Sequence, residues 1–310
     1  MNRNNAINPN SEIAIQVQGL TKSYGIVRAL RGIDLQVQRG EIFGFLGPNG
    51  AGKTTAIRCM LDMIRPDGGK TLLLGLDPQA DPVAVQTRTG YLPGEMQYYD
   101  NLTSERQLRF FNDMRNGAAE WDYVHHLADR LALDLKQPIK NLSKGNKQKV
   151  GVIQALMHRP DLLLLDEPTS GLDPLMQQEV LALLREANST GTTIFFSSHI
   201  MSEVENLAER VAIIRAGEIV EVTDTSTLTH SALNRITIRF KRPTDFSALI
   251  ILPGVEVLSM VDQTSLTLQV AGDMQMLVHA LGDLPILDLE TERPSLEEVF
   301  LTYYKKEALS

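Results

Sequence analysis

Residues 47–54 read Gly-Pro-Asn-Gly-Ala-Gly-Lys-Thr, a spacing of glycine, four residues, glycine, lysine, threonine. Such a run lets the backbone of Gly47, Pro48, Asn49, Gly50, Ala51 and Gly52 curl so that successive N–H groups form an anion nest. Lys53 adds a compact charge for the outer phosphates of a nucleotide. The Thr54 hydroxyl is a ligand for Mg²⁺, and Thr55 completes the cradle. A second group, Asp-Leu-Leu-Leu-Leu-Asp-Glu-Pro, occupies residues 161–168. Its two adjacent carboxylates follow an apolar strand, where open α/β sheets place ligands. Asp166 is expected to hold Mg²⁺, partly through water, and Glu167 to polarise an attacking water as general base, an effect of roughly 10²–10⁴-fold. Read alone, His199 after the apolar run 193–198 is a turn residue. Beside the glycine loop and the carboxylates it becomes a contact for the γ-phosphate.

The elements that must carry these groups are visible in the pattern. Residues 42–46 are a short apolar run that predicts a buried strand. Ile57, Met60, Leu61 and Ile64 recur at helical spacing after the loop, and Pro66, Gly68 and Gly69 end that helix. Alternation at Ile13, Ile15 and Val17, and at Ile33, Leu35 and Val37, predicts a small antiparallel sheet. Residues from about 95 to 145 are helix-rich, through 105–115 and 121–133, with His125 and His126 on a solvated face. Ser143 is placed to cap a helix running to about His158, with Val150, Ile153, Leu156 and Met157 on its apolar face. Asp173 and Pro174 suit the N-cap and first turn of the next helix. Residues 211–214 and 218–222 read as a hairpin turning at Ala216-Gly217, and 223–231 as a polar linker. A second pattern follows, with alternation at Ile236, Ile238 and Phe240, extended runs at 255–260 and 266–270, and helices at 274–281 and 295–304.

The ordered set Gly-Pro-Asn-Gly-Ala-Gly-Lys-Thr, Leu-Ser-Lys-Gly-Asn (142–146), Leu-Leu-Leu-Leu-Asp-Glu-Pro, Ser-Gly-Leu-Asp (170–173) and His199 resembles the ATP-binding cassette of ABC transporters, over roughly residues 12–222. The resemblance implies an α/β fold: a P-loop NTPase (RecA-like) core with an antiparallel β subdomain and a helical subdomain. It also implies that two cassettes pair head to tail around two ATP molecules. Ser143 and the Gly145 N–H then meet the γ-phosphate of the other copy, Asp173 lies along the seam, and Tyr24 stacks on adenine. Lys144 and Asn146 stand where the family has a second glycine and a glutamine. Gly90–Pro93 leads, in the family, to a glutamine that senses Mg²⁺ and the γ-phosphate, and here Gly94 holds that place. Glu95 or Gln97 takes over the role, Glu95 as a metal-site candidate, or the sensor is absent. The family docks residues 95–102 onto a membrane partner, with Tyr98, Tyr99 and Leu102 as anchors or as buried subdomain residues. The Leu-Ser-Lys-Gly-Asn-Lys-Gln-Lys-Val run and a small C-terminal α+β domain resemble type 2 exporter ATPases.

Composition narrows the classes. The chain has 310 residues, 43% of them apolar, and a net charge of -8, which opposes a broad nucleic-acid surface. No run approaches the ~18 apolar residues of a membrane span. The polar start, Met-Asn-Arg-Asn-Asn-Ala, lacks the apolar stretch of a signal peptide. The lone Cys59 has no disulfide partner within the chain and fits a reducing compartment. The expected partition is a tail over 1–11, a nucleotide-binding domain over 12–225 and an accessory α+β domain over 226–310. The reading is an ATP-hydrolysing motor subunit with ATP and Mg²⁺ as cofactors. Its partners are a second copy or related cassette and a separate transmembrane permease, at the cytoplasmic side of the membrane, with no nucleic acid. Export follows from the type 2 resemblance. The rival is a soluble cassette ATPase acting on ribosomes, nucleic acid or cluster assembly. One P-loop, the absence of a long heptad run and the acidic charge oppose it. A third reading, an ATP sensor with little turnover, draws on the missing glutamine and is opposed by Glu167 and His199.

Overall fold

The computed structural model describes residues 12–226, 234–270, 274–282 and 284–292. The expected tail at 1–11, most of the linker and the helix at 295–304 lie outside them. The chain divides into two compact units, Met1–Thr223 and Asp224–Ser310.

In the first unit, a six-stranded sheet runs β5 (Thr89–Leu92), β6 (Leu162–Asp166), β7 (Thr193–Ser198), β3 (Ile42–Leu46), β8 (Arg210–Arg215), β9 (Glu218–Asp224). The strands from β5 through β8 are parallel. β3, β6 and β7 are buried at every position, as strands covered on both faces must be. That explains why they read as continuous apolar runs rather than alternations. Phe43 and Phe195 stack across neighbouring strands with ring centroids 5.9 Å apart. β8 turns into β9 at Ala216 and Gly217, both with positive φ (46° and 83°), as a two-residue hairpin turn requires.

The smaller sheet has the order β2 (Val27–Gln38), β1 (Ile13–Tyr24), β4 (Gly68–Leu73) and is antiparallel. Its alternation buries Ile15, Val17, Leu35 and Val37. Here the structure corrects the reading of the segment after the glycine loop. Helix α1 spans only Lys53–Met60, and Asp62 turns left-handed at φ 53°. Leu61 and Ile64 pack on the core from the following loop, so their helical spacing did not extend the helix. Gly68 and Gly69, expected as helix stops, begin β4. The helical part comprises α3 (Ser104–Met114), α4 (Trp121–Arg130) and α5 (Lys144–Leu156). α4 buries Val124, Leu127 and Ala128, and His125 and His126 face water. Helices α2 (Pro82–Arg88), α6 (Pro174–Ser189) and α7 (Met201–Leu207) complete the α/β layer.

The second unit has its own core, built on Ile236, Ile238, Leu249, Leu266, Leu268 and Leu277. Its elements are β10 (Asn234–Phe240), α8 (Ser247–Ile250), β11 (Val255–Val261), β12 (Ser265–Val270), α9 (Gln275–Leu281) and β13 (Ile286–Glu292). The antiparallel sheet order β11-β12-β10-β13 makes this a split βαβ, ferredoxin-like arrangement. The sequence pattern showed three of the four described strands and one of the two described helices.

Candidate nucleotide site

β3 delivers the chain into the glycine loop at the carboxyl edge of the parallel sheet. The Gly47 N–H donates to the Ser198 carbonyl at 3.2 Å, tying the loop to β7. Gly52 has φ 110°, and a β-carbon there would lie 2.6 Å from the Ala29 carbonyl oxygen, so both backbone angle and space demand glycine. Lys53 opens α1 and is 5% exposed. Its ammonium donates to the carbonyls of Gly47 (2.6 Å) and Pro48 (3.2 Å) and lies 3.6 Å from Glu167 Oε1. Burial lowers the affinity of this amine for its proton, and the carboxylates of Glu167 and Asp166 oppose that shift. A cavity of about 390 Å³ opens here. Pro48, Asn49, Gly50, Gly52, Lys53, Thr54, Thr55 and Glu167 line it, together with Val27, Arg28, Ala29, Arg31 and Ala216. The sequence reading missed Arg28 and Arg31, whose only signal was positive charge close to Tyr24. Tyr24 itself is 51% exposed and outside the lining, as are Gly47 and the buried Ala51.

The two carboxylates end β6, one strand removed from β3. Asp166 is buried, accepting from the Thr54 hydroxyl at Oδ2 (2.6 Å) and from Ser197 at Oδ1 (2.5 Å). Among the described residues no cluster of three or more Asp, Glu, His or Cys forms a metal cage. One hydroxyl and one carboxylate fit Mg²⁺, which binds through few protein ligands and completes its shell with phosphates and water. Glu167 has φ 52°, uncommon for a residue with a β-carbon. Its N–H is held by the Ser197 hydroxyl (3.1 Å) and carbonyl (3.2 Å), and its carbonyl accepts from Gln148 Nε2 at 3.1 Å. That brings its Oε1 to 3.1 Å from His199 Nδ1. Loop lysine, Thr54, both carboxylates and His199 therefore form one contiguous group.

Ser143 and Gly145 stand apart from this cavity. The Ser143 hydroxyl caps α5 by accepting from the Asn146 N–H at 3.2 Å, and the side chain is exposed. Asp173 caps α6, accepting from the N–H groups of Leu175 and Met176 at 3.1 Å each. At the place of the family's glutamine, Gly94 lies so close to Asp166 that a β-carbon would sit 3.0 Å from Oδ2. Glu95 and Gln97 are exposed, and neither lines the cavity.

The stretch after Gly94 is strapped to α5. The Met96 sulfur packs over Gly151. The Tyr98 hydroxyl donates to the Lys147 carbonyl at 2.6 Å, and burial pushes the phenol's proton affinity up. Tyr99 remains 55% exposed, edge-on to Phe110. Tyr98→Phe is expected to lower the unfolding free energy by about 1 kcal/mol, the net worth of one buried hydrogen bond, with nucleotide affinity unchanged. Urea unfolding measures it; an unaltered midpoint and slope would show that the bond adds no net stability.

A larger cavity, about 490 Å³, lies at the amino ends of β6 and β7, between Tyr123, Arg159, Asp161, Glu186 and Thr192. Two of its polar groups are occupied internally: Asp161 by Arg88 at 2.6 Å, and the Thr192 hydroxyl by the Pro160 carbonyl at 2.8 Å. Chemistry is expected at the other end of the strands.

The parallel sheet, the glycine loop between β3 and α1, and the carboxylates ending β6 define a P-loop nucleoside triphosphatase. Comparison with known proteins carries this further. The family model described as ABC transporter matches residues 30–170. The daunorubicin resistance ATP-binding protein DrrA3 of Streptomyces coeruleorubidus is 32% identical over 303 residues, covering 93% of this chain and 96% of that protein. An uncharacterized ABC transporter ATP-binding protein of Nostoc is 42% identical over 200 residues, 63% of this chain, and the chain spans 59% of that relative. A solved ATP-binding subunit of an ABC transporter superposes with a TM-score of 0.63 at 29% identity, over 69% of this chain and 91% of that one. The chain belongs to the ATP-binding subunits of ABC transporters, which are ATPases.

Proposed function

We propose that the chain drives export through a separate membrane permease by binding and hydrolysing ATP between two cassettes paired head to tail. The observation that carries the reading is the split in the site. The glycine loop, Lys53, Thr54, Asp166, Glu167 and His199 stand together, whereas Ser143 and Gly145 lie outside that cavity on an exposed helix start. A second cassette, this chain or a related one, brings its Ser143 and Gly145 to the γ-phosphate and its Asp173 to the seam. Lys53 releases the Gly47 and Pro48 carbonyls for the outer phosphates, and Tyr24 closes over the base. Thr54 and Asp166 would hold Mg²⁺, which would supply charge neutralisation for the phosphates. Glu167 takes a proton from the attacking water, and His199 orients Glu167 and the γ-phosphate. Gly94 contributes no side chain there, and its exposed neighbour Glu95 is the weakest of the proposed metal contacts.

No described helix is long and apolar enough to cross a membrane, and in this reading the permease is a separate polypeptide. The exposed Tyr99 and Phe110 beside the strap offer it aromatic anchors at the cytoplasmic face of the membrane. Relatives named for daunorubicin resistance, linearmycin resistance and bacitracin transport support export. Tagged protein purified from gently solubilised host membranes is expected to carry a stoichiometric multi-span protein. Recovery with ribosomes or another soluble partner instead would sink the transporter reading.

A further inference from the structure

β7 ends in two hydroxyls, Ser197 and Ser198, after an apolar stretch. Both are buried, at 0% and 1% exposure. Successive residues of a strand face opposite ways, and the two serines do different things. Ser198 donates to Glu203 Oε2 at 2.6 Å, and Thr169 donates to the other Glu203 oxygen. Ser197 turns toward the nucleotide site. It donates to Asp166 Oδ1 at 2.5 Å and accepts from the Glu167 N–H at 3.1 Å.

We infer that Ser197 is the positioning residue that aims both carboxylates: it fixes the Asp166 oxygen turned to the metal and the backbone from which Glu167 reaches the water. The inference rests on the roles proposed above for Asp166 and Glu167. By occupying Oδ1, the Ser197 hydroxyl leaves Oδ2 as the oxygen that meets Thr54. Without it, Oδ1 is a buried charged atom without this donor, and the carboxylate turns in search of another partner. The Glu167 N–H simultaneously loses one of its two acceptors, at a residue whose φ is already unfavourable. In this role Ser197 acts through the two carboxylates.

The test uses the full chain, with Mn²⁺ as the probe and a non-hydrolysable ATP analogue present. Electron paramagnetic resonance with the analogue reads Mn²⁺ affinity, and phosphate release in a separate assay with ATP reads kcat. Ser197→Ala is expected to weaken Mn²⁺ binding and lower kcat, each by roughly 10–100-fold, as losses around metal ligands do. Analogue affinity without a divalent cation stays unchanged, and Ser197→Thr restores both readouts. Asp166→Asn serves as the reference. If it weakens Mn²⁺ while Ser197→Ala retains wild-type Mn²⁺ affinity, Ser197 does not position the metal carboxylate, even if Tm falls. If Asp166→Asn also binds Mn²⁺ normally, the metal reading of Asp166 fails first, and the inference with it. Should Ser197→Ala not fold, Ser197→Cys has similar size and a weaker donor. An intermediate loss of Mn²⁺ affinity supports the inference, and wild-type affinity overturns it.

Discussion

Glu167→Gln is expected to bind ATP as the native chain does, to lose roughly 10²–10⁴-fold in turnover, and to accumulate as an ATP-bound dimer. The side chain keeps its shape, so the distances to Lys53 (3.6 Å) and His199 (3.1 Å) need not change. What disappears is the ability to accept a proton. It also removes a negative charge beside the phosphate site, so ATP affinity has no reason to fall. A dimer that closes on ATP and reopens after hydrolysis must then remain closed. Phosphate release measures the first effect and light scattering the second. Monomer alone in saturating ATP and Mg²⁺ would refute the head-to-tail arrangement, and near-native turnover would remove Glu167 from the role of base.

Lys53→Ala should produce the largest loss of binding, about 100-fold or more in nucleotide affinity. Charge-assisted hydrogen bonds are worth roughly 1.5–3 kcal/mol, and 1.4 kcal/mol is a factor of ten. The fold should tolerate the change. Lys53 sits buried against two carbonyls and near two carboxylates, and burial of the ammonium already opposes its charge. The variant should therefore unfold near the native midpoint while failing to bind a fluorescent ATP analogue. Unchanged affinity would undermine the assignment of the glycine loop.

The parts of the site that were legible in sequence are those whose chemistry is local. A glycine loop must be contiguous, and Asp166 and Glu167 are adjacent because a single strand end presents both. Ser143 and Asp173 were readable as caps because a cap is set by the few residues after it. What the sequence withheld depends on register between distant strands. Ser197 meets Asp166 only because β6 and β7 are neighbours with Asp166 opposite Ser197. Nothing in Phe-Phe-Ser-Ser says which hydroxyl will face which way. Gln148 on the Glu167 carbonyl and Tyr98 on the Lys147 carbonyl are long-range contacts to backbone atoms, which have no residue signature at all. β4 and β5 were missed for another reason. They are short, and each carries glycine, so their apolar signal was too brief to compete with the breaker signal beside it.

The pairing of β10 with β13 has a consequence for how this protein can be taken apart. Arg235 lies opposite Glu292 in an antiparallel ladder, where facing α-carbons are about 4.5–5.5 Å apart. The described stretch from 234 to 292 therefore begins and ends at one doorway. The described core residues of that unit all lie within this span, so the stretch from 234 to 292 has the geometry of a removable insert, and a few residues would bridge the gap left behind.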